Sequence, residues 1–360
     1  PPPVGTRPDG HRPPATTSGT SDLPSSIDPT GATDVYQKWI DWIATRPNGS
    51  VLVLPRGDFR FDKGMMVRLR QDLDIVGQGP ETRLIMKGPA GQAESSAFFL
   101  RGSSRIRLRD MEVVGNNPNT TTLFGGGENS HVLALSGWYG DGPSFDVEIT
   151  GITGGHVYGD AFYAEGKNGG AFEPSGRLWA HHNDIRYIGR NAYSPINIID
   201  AVVEDNHFDM IGMDAFDIEP NFDAEQVGMQ HFRRNTIGKY GLMTQYYGWF
   251  VNIWNNVNGS GQSPVWDCFA YENTVVGNTS GGYPGSGRRG LHVQVNNKGG
   301  AGGRRPKNIG VYDNKTDQAV LSGPVMTFRY IDGVREARNV QPGLTGDIAN
   351  FQSCTGIVRA

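Results

Sequence analysis

The feature that most constrains this chain is a short unit that recurs at irregular intervals and centres on asparagine. It reads Trp179-Ala180-His181-His182-Asn183-Asp184-Ile185, then Val203-Glu204-Asp205-Asn206-His207-Phe208, then Phe232-Arg233-Arg234-Asn235-Thr236-Ile237. Three more copies follow, around Asn273, Asn314 and Asn339. The gaps between these asparagines are 23, 29, 38, 41 and 25 residues. A minimum near 23 suits one coil of short strands, and the longer gaps imply loops inserted on one side of a stack. Asparagine tolerates left-handed backbone and bonds neighbouring main chain, so it is expected at a turn in every coil, its amides stacking into a ladder. Ile106 to Met111 and Val147 to Ile152 fit the same unit with Asp110 and Gly151 in the asparagine position, and Leu73 to Gly77 begins the series. A leucine-rich repeat needs denser leucine, and a propeller needs a steadier period.

Composition agrees. Glycine is 51 of 360 residues, about twice the ~7% average, which suits many tight turns. The net charge of -4 and the absence of a dominant basic face give no reason to expect nucleic acid as a partner. No apolar run reaches the ~20 residues of a membrane span. The two cysteines, Cys268 and Cys354, are too few for a disulfide scaffold and have no zinc spacing; one bridge or two thiols both remain open. Residues 1–31, rich in Pro, Ser, Thr and Gly, read as a linker or the start of a mature secreted chain, with the repeat domain over 32–360 and its tail over 341–360. Within that domain, Thr33 to Ile43 reads as an amphipathic helix with Val35, Trp39, Trp42 and Ile43 on one stripe. A solenoid must shield its first coil from water, and this helix is placed to do so.

The helix followed by "SVLVLPRGDFRF" and then Gly/Asn-punctuated coils resembles the pectin-lyase-like superfamily, and "FDIEPN" (Phe216 to Asn221) resembles a motif of β-helix proteins without an assigned activity. The resemblance spans about residues 30 to 340. It implies an all-β fold, a right-handed single-stranded parallel β-helix with an N-terminal capping α-helix. It leaves activity open, because hydrolases, lyases, epimerases, esterases and phage adhesins share the fold.

Aligning the strand before each asparagine unit locates a candidate site. Asp160 to Glu165, Asn191 to Ile196 and Asp214 to Glu219 superpose directly. Strand alternation sends Phe162, Tyr193 and Phe216 inward, with Ala164, Pro195 and Ile218. Outward stand Tyr163, Ser194 and Asp217 in one column and Glu165, Ile196 and Glu219 in the next. Later coils are expected to add Met243 and Gln245, then His292 and Gln294, then Thr327 and Arg329. This exposed stripe suits a polysaccharide or oligosaccharide, with Trp138, Tyr139, Tyr246, Tyr247, Trp249, Trp254 and Trp266 as aromatic platforms beside it.

Asp217 and Glu219 share one strand face about 6.6–6.8 Å apart, and Glu165 lies two coils from Glu219, about 9.6 Å. Both spacings suit an inverting glycoside hydrolase, whose carboxyls stand about 6.5–9.5 Å apart to admit a water. The expected catalytic set is Asp217 as general acid, Glu219 or Glu165 as base, and Asp214 in support. Tyr163, Gln245, Arg289, His292, Gln294 and Arg329 are expected to hold substrate, Arg289 against an acidic sugar. No metal or other cofactor is required by this reading. A polysaccharide lyase would use the same carboxylates to hold Ca²⁺, with Lys167 or Arg289 as base; a glycan-gripping adhesin would need no catalysis at all. Isolated acids on such faces are more often solvation or turn caps, Asp160 and Asp214 in particular. The histidines at 181, 182, 207 and 231 fall away from this face and read as structural.

Overall fold

The computed structural model describes residues 7–89, 92–118, 129–137, 139–167, 171–243, 248–255, 264–276, 290–297, 304–319 and 325–359. Every strand pairing among them is parallel, and the strands fall into two sheets running the length of a solenoid. Ten strands form the first: Met65–Arg68, Phe98–Arg101, Leu133–Leu135, Phe162–Ala164, Tyr193–Pro195, Phe216–Ile218, Val251–Asn255, Val293–Asn297, Met326–Arg329 and Ala349–Gln352. The second has twenty strands and wraps around a bend. Ser104–Val114 and Phe145–Val157 each run through that bend unbroken, turning at Asp110 and Gly151, which have φ of 59° and 64°.

The asparagine ladder forms. Each Nδ2 donates to the Oδ1 of the next coil: Asn183 to Asn206 (2.8 Å), Asn206 to Asn235 (3.0 Å), Asn235 to Asn273 (3.1 Å), Asn273 to Asn314 (2.9 Å) and Asn314 to Asn339 (3.0 Å). The same Oδ1 atoms also accept the main-chain N–H of the preceding asparagine. The left-handed residue is not the asparagine, however, but the one before it: His182, Asp205, Arg234, Glu272, Asp313 and Arg338, with φ from 50° to 58°. That division of labour is physical. The left-handed residue turns its side chain out of the bend, which leaves the next side chain buried and free to bond along the axis. Asp110 and Gly151 therefore align with His182, one position earlier than the sequence pattern places them. The ladder positions in those coils are the buried Met111 and Ile152.

A second ladder lines the corner where each coil enters the ten-stranded sheet, and its members differ in kind from coil to coil. Ser96 Oγ accepts the N–H of His131 (3.1 Å), His131 Nδ1 that of Asp160 (2.9 Å) and Asp160 Oδ1 that of Asn191 (2.8 Å). Asn191 Oδ1 then accepts the N–H of Asp214 (2.9 Å), and Asp214 Oδ1 that of Trp249 (2.6 Å). Side chains with an acceptor one bond from Cβ or Cγ do this work interchangeably, so no repeated letter marks the corner in the sequence.

The interior is a continuous apolar column. Phe162, Tyr193 and Phe216 all point into it, and Tyr193 and Phe216 stack at 5.6 Å and 5°. The capping helix spans Tyr36–Ala44 and buries Trp39, Trp42 and Ile43. It packs on the first strand of the ten-stranded sheet, where Trp39 Nε1 donates to the Met66 carbonyl (3.0 Å).

Both chain ends depart from the expected boundaries. Gly19–Asp22 pairs with Ser50–Val53, and Thr30–Asp34 pairs with Gly57–Phe61, so the first coil begins inside the stretch read as linker. Ala349–Gln352 and Thr355–Arg359 add a final coil inside the stretch read as tail. Main-chain pairing with a ready-made edge recruits the polar segments Gly19–Asp22 and Thr30–Asp34, which lack the alternating apolar pattern of a strand, whereas Ala349–Gln352 keeps that alternation and turns Ala349 and Phe351 to the core. Cys268 and Cys354 are both free thiols.

Candidate active site

Register on the ten-stranded sheet reproduces the two outward columns. Phe162, Tyr193 and Phe216 are partners, which places Tyr163, Ser194 and Asp217 in line, with Glu165, Ile196 and Glu219 two residues on. The next coil enters through Val251–Asn255, so Asn252 follows Asp217 and Trp254 follows Glu219. Gln294 and Thr327 continue the Asp217 column, whereas Arg329 is the partner of Asn296 in the Glu219 column. His292 is displaced from both columns, because it precedes the strand Val293–Asn297. Gln245, Arg289, Trp138, Tyr246 and Tyr247 lie outside the described residues.

The stripe is not the open surface that alternation suggests. Glu165, Asp214 and Asp217 are buried, while Tyr163 and Glu219 are half-buried and Arg329 is exposed. Asp214 does not face outward at all; it is a rung of the corner ladder, and burial followed by the charge of Asp217 pushes its carboxyl well up. Burial opposes the charge of Asp160, another rung, but Arg190 and the Asn191 N–H outweigh it and hold the carboxyl down.

Asp217 is clamped. Its Oδ1 accepts from Asn252 Nδ2 (3.0 Å) and its Oδ2 from Asn191 Nδ2 (2.9 Å). Burial and the neighbouring Glu219 nevertheless push its carboxyl up to about 8, against the pull of Arg190. Asn191 thus serves the corner ladder with its oxygen and the outward column with its nitrogen. Neither Asn191 nor Asn252 stands out in the sequence, although the position of Asn191 opposite Asp160 and Asp214 is visible there.

Glu165 has a different setting. It lines a cavity of about 320 Å³ together with Asn129, His131, Ala134, Ser136, Tyr139 and Tyr163. The Tyr163 hydroxyl donates to Glu165 Oε2 (2.7 Å), and Oε1 is buried without a partner. Burial, aided by the charge of Glu225 and opposed by Tyr163 and Lys167, pushes the Glu165 carboxyl up to about 7. His131 stacks flat on Tyr163, 4.6 Å between centroids and 7° between planes. Arg101 sits over the Tyr139 ring at 4.1 Å, fixing that wall. Lys167 rests on Phe172, 4.9 Å from its ring centre. His131 and Ser136 join the site only through the fold; both come from a coil whose short strand carries no copy of the asparagine unit. A protonated carboxyl beside an aromatic ledge can bind a hydroxylated ring and give a proton to a leaving oxygen.

Solved structures share this architecture. The family 28 exopolygalacturonase of Yersinia enterocolitica matches with a TM-score of 0.52 and 9% identity, over 96% of this chain and 78% of that one. The surface protein and adhesin PfbA of Streptococcus pneumoniae matches with 0.53 and 11%, over 92% and 97%. DFA-IIIase from Arthrobacter chlorophenolicus A6, in complex with GF2, matches with 0.51 and 11%, over 92% and 89%. The chain has the pectin-lyase-like fold, a right-handed parallel β-helix. No family model and no curated protein matches the sequence. Identities this low establish the shared coil architecture and leave the chemistry to the residues.

Proposed function

We propose that this β-helix is a carbohydrate-active hydrolase in which Glu165 is the general acid and Glu219 the base that activates water. The single observation that carries the reading is the Glu165 carboxyl, raised to about 7 at the wall of an aromatic-lined cavity with one oxygen unpartnered. Such a group keeps its proton near neutral pH, as a general acid requires. Glu219 stands two coils along the same column, about 9.6 Å by strand spacing. Side chains leaning together from that separation fall in the ~6.5–9.5 Å range of inverting enzymes. This moves the acid role expected of Asp217 to Glu165 and keeps Glu219 as the base. Asp217 also holds its proton, but both its oxygens are engaged by amide N–H donors, from Asn191 and Asn252. We assign Asp217 to the electrostatics and shape of the cleft rather than to proton transfer. Substrate is a polysaccharide or oligosaccharide laid along the outward columns, met by Tyr163, Gln294 and Arg329. An extracellular location belongs to the same proposal.

One of the fold neighbours is an exopolygalacturonase and another an adhesin, so the fold alone leaves hydrolysis and adhesion both standing. The test is a glycan panel with wild type and Glu165→Gln. New reducing ends from wild type, lost in the variant, support hydrolysis. Retained binding to a glycan with no product from either protein favours the adhesin. Product absorbing near 235 nm would mean elimination, and would replace hydrolase by lyase.

A further inference from the structure

Residues 9–15 lie along one corner of the solenoid, on a column that alternates in charge. Strand register aligns Asp72, Arg105, Asp146, Arg177 and Asp200 in five successive coils. All five have left-handed backbone, φ from 54° to 66°, which turns their side chains out of the bend. Arg105 pairs with Asp72 (2.7 and 2.8 Å), and Arg177 pairs with Asp146 (2.6 and 3.0 Å). Each carboxylate still has lone pairs to offer, and the N-terminal segment takes them with main-chain donors. Ala15 N–H donates to Asp72 Oδ1 (3.0 Å) and Arg12 N–H to Asp146 Oδ1 (3.0 Å), and the Asp9 main chain lies close enough to the Asp200 carboxylate to favour its charge.

The donors are three residues apart and the acceptors two coils apart. Two coils measure about 9.6 Å at a ~4.8 Å strand spacing. Between Arg12 and Ala15 stand Pro13 and Pro14, whose rings fix φ near −65°. Three residues of polyproline II advance about 9.3 Å, so the pitch of the segment matches the pitch of the solenoid. The prolines also have no N–H to leave unpaired between anchors. On the other side a turn closed by His11 N–H to the Pro8 carbonyl (3.0 Å), with Gly10 at φ 69°, brings Asp9 to Asp200. His11 is buried (4% exposed) with its ring edge-on to Trp179 at 5.9 Å.

We propose that this Asp/Arg column is a docking site for an extended, proline-type peptide, occupied here by the chain's own residues 9–15, and that it selects its occupant by pitch. The anchoring bonds of Arg12 and Ala15 run from main-chain N–H groups, so they read spacing and not side-chain identity; His11 supplies a buried side-chain anchor. The site is separate from the Glu165 cavity, with which it shares no lining residue.

Hydrogen exchange on the full chain, resolved across residues 8–17, tests it. In wild type the amides of Asp9, Arg12 and Ala15 are expected to exchange at least tenfold more slowly than in a free peptide of the same sequence. Asp146→Ala should remove the protection of Arg12, while the Asn206 and Asn235 amides in the body stay protected. One glycine inserted between Pro14 and Ala15 breaks the pitch and should abolish protection at Arg12. Inserting Ala-Pro-Pro instead sets the new alanine N–H over Asp146, advances Arg12 by one acceptor, to Asp200, and should restore it. Free-peptide exchange rates in wild type, protection kept in both insertions, or protection lost in both, each overturns the proposal.

Discussion

Replacing Asn235 by alanine tests whether the asparagine ladder stabilises the fold or merely fills it. Asn235 is 1% exposed. Its Oδ1 accepts from the N–H and the Nδ2 of Asn206, both at 3.0 Å, and its Nδ2 donates to the Val203 carbonyl (3.0 Å) and to Asn273 Oδ1 (3.1 Å). After truncation the Val203 carbonyl and Asn273 Oδ1 still have other main-chain donors, but the buried N–H and amide of Asn206 lose their acceptor. An unsatisfied buried donor costs about 1–3 kcal/mol, and a typical net hydrogen bond is worth about 1 kcal/mol. Two orphaned donors and two lost bonds on the donating side therefore amount to roughly 4–8 kcal/mol. Asn339 is the final rung and half-buried, so Asn339→Ala should cost about half as much. Asn350, exposed on the last strand of the ten-stranded sheet, is the control, with an expected change within about 0.5 kcal/mol. Urea unfolding followed by circular dichroism at several wavelengths measures all three, and checks that the solenoid unfolds in one step. A loss under about 1 kcal/mol for Asn235→Ala, or one equal to that of Asn350→Ala, would refute the reasoning.

The other predictions concern titration and packing. Hydrolysis is expected to fall as pH rises through about 7, where Glu165 loses the proton it must donate, and Glu165→Gln should lower kcat by about 10²–10⁴; an activity that rises through that range would assign the acid elsewhere. Asp217 binds its proton more tightly in the folded chain, about 8, than unfolded, about 3.9, so its contribution is most favourable below pH 4 and declines up to pH 8. Asp217→Asn should accordingly raise Tm at pH 8 and give no gain at pH 4, and a gain of the opposite pH dependence would contradict the burial argument. Gly228 has the Trp266 ring laid across it, and an added Cβ would come within 2.1 Å of that ring. Gly228→Ala should displace Trp266, at a cost of about 1–3 kcal/mol, with an altered near-ultraviolet signal; an unchanged spectrum and Tm would show that the ring has room to move.

The strand register of the candidate site is legible in the amino-acid sequence. The inward set Phe162, Tyr193 and Phe216 and the outward set Tyr163, Ser194 and Asp217 follow from period-two alternation in strands of equal length, and the register bears them out. The pattern misleads where a loop separates strand from repeat. Leu242 to Gln245 mimics the expected alternation, but the pairing partner of Phe216 is Val251. Asn191 and Asn252 carry no signal of their own, because a buried clamp is made by proximity across coils and nothing in a single strand reports it. The burial of the stripe escapes the sequence for the same reason.

What the sequence determines by itself is the coil. Asparagine at a buried bend, apolar alternation and frequent glycine each act within a few residues or between identical positions of neighbouring repeats, so the pattern is written in every copy. What only the tertiary structure decides is the use made of side chains between coils. Asp214 is a ladder rung because Trp249 N–H lies above it, Asp217 a clamped carboxyl because two amides flank it, and Glu165 a carboxyl pushed up to about 7 because burial, with the charge of Glu225, outweighs the Tyr163 bond. The pKa of a carboxyl depends on dielectric and on charges a few ångströms away through space, and those neighbours are tens of residues away along the chain.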